Sequence, residues 1–227
     1  MRIAMLTVAA LLTFNAPASA WTDALDDCAY ASGAEQVAGC TTLIETGLLQ
    51  GEPISRTNLA IAYKNRGDGY LDQGEHELAI ADYDRAIETR PDTASFYNAR
   101  GVAHARMHHD KRAFADFDRA VALDPGFAEA LTNRGVMHMQ AGRTTQAFDD
   151  FDAAIAHKPG HATAWLNRGN AHALAGDFAA AIADFTRAIA LQPDYAVAYR
   201  ARSVAYGFLG EIEPAAADRA RLVELTG

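Results

Sequence analysis

Two columns of opposite charge run through this sequence at one interval. Arginine stands at Arg66, Arg100, Arg134, Arg168 and Arg202, and aspartate at Asp82, Asp116, Asp150, Asp184 and Asp218, each column stepping by 34 residues. A guanidinium can grip a carboxylate or a phosphate through two parallel N–H bonds, so these arginines could form an anion site. A ligand site, however, needs several such groups at one place, whereas here every arginine recurs with its own counterion. The columns therefore predict a structural ladder of partly buried ion pairs. Pairing inside each unit leaves no member alone. Pairing each arginine with the aspartate of the preceding unit would set Arg66 against Gly39 and leave Asp218 without a partner.

His104, His138 and His172 form a third column, at the position held by Tyr70 and Tyr206 in the outer units. Equivalent residues of packed helices lie about 10 Å apart, too far to share one ion whose ligands sit at about 2 Å. These histidines read as core residues. His108-His109-Asp110 is the one local metal-like cluster, and it falls at a polar turn. No nucleophile–base motif, metal-ligand spacing or phosphate loop is present. No catalytic residue, metal or cofactor is expected.

The elements that position these columns follow from the same interval. Gly67, Gly101, Gly135 and Gly169 are 34 apart, as are Pro91, Pro125, Pro159 and Pro193. Ala79, Ala113, Ala147, Ala181 and Ala215 make one apolar column, Ala86, Ala120, Ala154 and Ala188 another, and Tyr83, Phe117, Phe151 and Phe185 a third. Each unit holds two segments of helical apolar period, split by a turn at Gly74, Gly142, Gly176 or Gly210 and closed by proline. A glycine inside a helix costs about 1 kcal/mol against alanine, so a close approach must compensate. The expectation is that glycine and the alanine column let the two helices nearly touch, while the aromatic fills the space between hairpins. A lone hairpin leaves an apolar face open, so stacking makes the core.

In the unit from residue 162, Trp165, Gly169, Gly176, Ala181, Phe185, Ala188 and Pro193 follow the pattern of the tetratricopeptide repeat, with His172 where tyrosine is usual. The chain resembles that family from residue 60 to its end, in units 60–93, 94–127, 128–161, 162–195 and 196–227. The resemblance implies an all-α fold, a right-handed superhelical solenoid of antiparallel helix pairs. Its concave face, lined by first helices, would bind an extended peptide or a partner helix. The last unit departs from the pattern: Ser203 replaces glycine, Arg219 stands in the aromatic column, Leu222 replaces alanine and no proline follows. Residues 211–226 therefore read as a capping helix.

Residues 21–59 repeat the theme loosely as a degenerate hairpin, with Cys40 in the aromatic column and Cys28 near the end of the preceding helix. Residues 1–20 carry one cation at Arg2, an apolar run and a final Ala-Ser-Ala, the make-up of a secretory signal peptide cleaved after Ala20. Export places both cysteines in an oxidising compartment and favours a disulfide, with two unlinked core residues as the alternative. Charge is unevenly spread within a total of 20 basic and 29 acidic residues. Residues 21–59 hold six acids and one base, and residues 60–93 eight acids and four bases. Such a surface argues against nucleic acid and anionic membrane.

First-helix residues that point away from the second helix are the expected binding face: Lys64, Asn65, Asn98, Arg106, Asn133, Met139, Gln140, Asn167, Asn170, Arg200 and Phe208. Their amides suit capture of an extended backbone, and solvated polar positions are the plainer reading. The family's five-residue clamp for a terminal carboxylate does not transfer, because Asp68, Ala99 and Glu129 stand where it needs amide or cation. The function expected is a protein-protein interaction module or scaffold in the bacterial cell envelope, periplasmic or secreted, with a protein or peptide partner and no membrane span. The alternative is an enzyme like exported helical-repeat proteins with penicillin-binding activity. Those carry a cysteine pair in every repeat, against one pair here.

Overall fold

The computed structural model describes residues 18–227, with side chains from Ala24 onward. The signal peptide expected over residues 1–20 lies outside the described residues, apart from its last three. Twelve helices follow in order: α1 (Ala18–Tyr30), α2 (Gly33–Thr46), α3 (Arg56–Asp72), α4 (His76–Thr89), α5 (Ala94–Arg106), α6 (Asp110–Leu123), α7 (Ala128–Gln140), α8 (Thr144–His157), α9 (Ala162–Leu174), α10 (Phe178–Leu191), α11 (Ala196–Phe208) and α12 (Ile212–Thr226). Between α2 and α3, β1 (Leu48–Leu49) pairs with β2 (Glu52–Pro53) around a turn at Gln50 and Gly51, both of positive φ. Two-residue strands are too short to register as a period-2 pattern, so the residues carry no sign of them.

Each helix packs antiparallel on the next, and successive first helices (α3, α5, α7, α9, α11) also touch one another. Among the described residues the second helices make no comparable contact. The stack therefore curves with the first helices inside and the second helices outside, an all-α solenoid.

The aromatic column is the centre of each junction. Tyr83, Phe117, Phe151 and Phe185 are essentially fully buried, and each such ring contributes about 2–3 kcal/mol of burial. Their packing corrects the expected role of the glycine. A Cβ on Gly169 would stand 2.6 Å from ring carbon Cε1 of Phe185, and the glycine–aromatic pairs of the three preceding units repeat that geometry within 0.1 Å. The glycine thus makes room for the ring of its own hairpin, not for the alanine column. On the ring's other side lies the next first helix: Tyr83 clusters with Ala103, Phe151 with Ala171 and Phe185 with Ala205. In the last unit glycine and ring are lost together, as Ser203 and Arg219.

The interhelix turns are uniform. The N–H of Glu75, His109, Arg143, Asp177 and Glu211 each donates to the carbonyl five residues earlier, in the closing helical turn, at Tyr70, His104, His138, His172 and Tyr206, all at 2.9 Å. This closure needs a left-handed residue just past the helix. Gly74, Gly142, Gly176 and Gly210 supply it, and in the second unit His108 does so at φ +56°. The polar triplet at residues 108–110 is accordingly a helix end. In the N-terminal hairpin Cys28 and Cys40 are joined by a disulfide. It links α1 to α2 at the level where later units place their ring.

Opposite responses to alanine follow. Gly169→Ala should lower stability by about 1–3 kcal/mol through overpacking against Phe185. Gly207→Ala, in α11 where nothing lies within 4 Å of the added carbon, should raise it by about 1 kcal/mol through helix propensity. Urea denaturation followed by circular dichroism reads both, and losses of equal size would refute the ring–glycine account.

Candidate protein-binding face

The ladder runs through the solenoid beside this core. In every unit the arginine Nε and Nη2 donate to the two oxygens of one aspartate in the same hairpin. Arg66 grips Asp82 at 2.7 and 2.8 Å, and Arg100 grips Asp116 at 2.9 and 2.6 Å. Arg134 meets Asp150 at 2.9 and 2.7 Å, Arg168 meets Asp184 at 2.8 and 2.8 Å, and Arg202 meets Asp218 at 2.8 and 2.7 Å. All five aspartates are buried at 5% exposure. The remaining nitrogen, Nη1, crosses to the preceding hairpin. It donates to Thr41 from Arg66, to Asp84 from Arg100, to Asp118 from Arg134, to Asp152 from Arg168 and to Thr186 from Arg202.

That second acceptor column was missed from the sequence, where the two pairings were weighed as exclusive. Its signal was present: an acceptor two residues past the aspartate position in every unit that precedes a ladder arginine, with Ala220 at that position in the last unit. Aromatic rings floor the guanidinium as well. Arg168 lies 4.8 Å from the Trp165 ring centroid, and Arg66, Arg100 and Arg202 lie 5.6–5.7 Å from Tyr63, Tyr97 and Tyr199. With every guanidinium donor group engaged in the fold, the arginines have no open fork for a ligand.

The histidine column borders the same aspartates. Nε2 of His104, His138 and His172 stands 4.0, 3.8 and 3.9 Å from Oδ2 of Asp116, Asp150 and Asp184, beyond hydrogen-bond length. Burial lowers the pKa of His104 and His138, and outweighs the attraction of the facing carboxylate. Nδ1 of each is buried without a partner. Around His104 stand Asp116, Arg100, Arg112 and His109, and around His138 Asp150, Arg143, Arg134 and Asp118. Among the described residues no group of three or more His, Cys, Asp or Glu is placed to hold a metal.

The inner face divides into three regions. At its N-terminal end Lys64 pairs with Asp68, which also accepts from the Tyr83 hydroxyl, and Asn65 donates to the Cys28 carbonyl. In the middle Asn133 donates to Asn98 at 2.9 Å, and Arg106 reaches back to the Leu71 carbonyl. Arg106, Asn133 and Gln140 line a cavity of about 290 Å³ there, with Val102 and Val136. Asn167 is half-buried between these regions. At the C-terminal end Met139, Asn170, Arg200 and Phe208 line a larger open cavity of about 620 Å³. Its other walls were not foreseen. They include Leu174 at 76% exposure and Val197 and Val204, with Phe178 stacked on Phe208 at 4.4 Å. Aliphatic residues on an apolar-periodic helix read as core until the stacking order shows which of them no neighbour covers.

Family models described as TPR repeat and tetratricopeptide repeat match residues 67–107, 111–160 and 162–195, together just over half of the chain. No curated protein matches it. Among solved structures, PilF of Pseudomonas aeruginosa aligns at TM-score 0.71 and 22% identity, over 76% of this chain and 78% of that one. MamA of Desulfovibrio magneticus RS-1 aligns at 0.61 and 20%, over 74% and 94%. YrrB, described as a TPR protein with an unusual peptide-binding site, aligns at 0.55 and 20%, over 82% and 91%. At these identities the likeness is one of fold.

Two measurements test the ladder and its border. Asp150→Ala should cost about 3–5 kcal/mol, because it strands a guanidinium. Asp118→Ala, whose side chain is 62% exposed, should cost about 1 kcal/mol or less. Equal costs in chemical denaturation would contradict the division of roles. Because burial depresses the His104 and His138 pKa, the unfolded chain, with histidine near the ordinary value of about 6.5, takes up protons that the folded chain refuses. Their contribution is complete above that pH and is lost as pH falls through it towards the folded values. Replacing both by Tyr, the residue at positions 70 and 206, should flatten the stability profile from neutral pH down towards pH 5.5, and an unchanged slope would clear the histidines of any part.

Proposed function

Because the chain belongs to the tetratricopeptide-repeat family, we propose that it is a non-catalytic interaction module of the bacterial cell envelope, holding a protein partner on its inner face. The observation that carries this reading is the C-terminal cavity. Large apolar side chains of α9 and α11 stand in solvent there, over a volume suited to a bound side-chain cluster. A monomer gains nothing from exposing Leu174 and Phe208 together, whereas a partner that covers them gains about 25 cal/mol per Å² removed from water. YrrB supplies a related fold whose description includes peptide binding. Export is supported by the leader-like residues 1–20 and by the Cys28–Cys40 disulfide. No described helix is long and apolar enough to cross a membrane.

The polar stretch of the inner face contributes less. Asn65, Asn98 and Asn133 already spend hydrogen bonds inside the protein, so an extended peptide would have to displace those bonds or share them. The reading is tested by placing a photocrosslinking residue at Arg106, Asn170 or Phe208 on the inner face and at Arg85 or Arg187 on the outer helices, in the producing cell. Discrete adducts from inner positions alone are expected. Adducts confined to the outer positions, or none anywhere, would overturn it.

A further inference from the structure

We infer that the C-terminal end of the inner face receives one amphipathic helix of a partner protein, apolar on its docking side and bearing a carboxylate opposite Arg200. The inference rests on the interaction-module reading and names the partner's chemistry.

Val197, Arg200, Val204 and Phe208 recur along α11 at helical spacing and all are exposed, a stripe about 16 Å long at the helical rise. In the earlier units the column of Arg200, at the centre of this stripe, is met by the next first helix. Asn98, three 34-residue steps before Arg200, bonds to Asn133 of α7. Leu166, one step before Arg200, is buried in a cluster with Ala198 and Ala205 of α11, with Ala201 packed against it. What covers this column elsewhere in the molecule is therefore a helix, laid side by side with its neighbour. Among the described residues no helix covers this stripe of α11.

The covering helix is not the first helix of one more unit of this kind. Every junction from α3 onward is tied by the arginine of the arriving hairpin to a Thr or Asp on the hairpin before it. The position that would accept such an arginine on α12 is Ala220. An arriving repeat would leave that nitrogen without its partner. A single helix has no such requirement, because it needs only the apolar stripe. Among the described residues Arg200 is the one charged residue lining the cavity, so a desolvated docking face without a carboxylate would strand it. Charge complementarity thus selects an acidic residue at the centre of the partner's apolar stripe, and a helix laid in a groove is an established way to bury such a stripe.

The test uses the chain from Trp21 onward, its disulfide intact, and a hydrocarbon-stapled helical peptide of about 16 residues, which spans the stripe. The peptide carries leucines at matching spacing and glutamate at the centre. A second carries lysine in place of the glutamate, and a third has the same composition in an unstapled sequence broken by proline. Fluorescence anisotropy should show binding of the glutamate peptide roughly tenfold or more tighter than of the lysine peptide, the scale of one charge-assisted contact. Arg200→Glu should reverse that order. Val204→Asp, at a site 55% exposed, should remove binding of both while leaving the circular dichroism spectrum unchanged. Wild-type protein that binds neither stapled peptide, that does not distinguish them, or that binds the broken peptide equally would overturn the inference. So would a dimer in sedimentation equilibrium that Val204→Asp dissociates, since a second copy would then be the occupant. If the peptides fail while crosslinks persist at Arg106, the helix inference falls and the interaction-module reading stands.

Discussion

The fold depends on a three-way bond. Each ladder arginine closes its own hairpin with a fork onto one aspartate and uses its last nitrogen to hold the hairpin before it. A buried charge pair is a weak source of stability by itself, because desolvation offsets much of the attraction. Its value here is in register. The fork fixes the rotation of the first helix about its axis, and the crossing bond fixes the step to the next unit. Alanine-rich helices, whose small side chains pack in many alternative registers, would otherwise leave both unspecified.

The ring–glycine contact and the ladder divide the work between them. The ring supplies the apolar burial that a lone hairpin lacks, and it demands a bare glycine opposite because the helices are too close for a Cβ. Arg and Asp then fill the polar side of the same junction. The end unit shows how tightly these are coupled. Ser203 comes with Arg219, so a Cβ appears where the ring has gone, while the Arg202–Asp218 fork remains because it belongs to the hairpin alone. Ala220 then leaves the junction without an acceptor. At the other end, Cys28–Cys40 takes over at the level of the ring, and Thr41 still receives Arg66.

The proposed binding role rests on what this repeating chemistry leaves over. Positions that point inward lie outside the ring and ladder contacts, and they vary from a polar N-terminal end at Lys64 and Asp68 to an apolar C-terminal end at Leu174, Val204 and Phe208. The histidines are a different case. They sit beside the ladder aspartates, and burial in the junction disfavours the charged form of His104 and His138.

Much of the architecture was legible from the residues. An interval of 34 in glycine, proline, alanine and aromatic columns determines helical hairpins stacked in line, because no hairpin with such a face is stable alone. The arginine and aspartate columns likewise announced charge pairs, since unpaired repeats of either would be too costly to bury. The sequence could not decide which glycine neighbour demanded the small residue, since Ala181 and Phe185 are both within one helical turn of the right place and only packing put the ring there. It could not show that one arginine serves two hairpins, because that depends on the distance between stacked helices. Nor could it tell Leu174 from Leu166, two leucines on one helix. Stacking covers Leu166 with α11 and leaves Leu174 in the open cavity, and exposure of that kind is settled by tertiary neighbours alone.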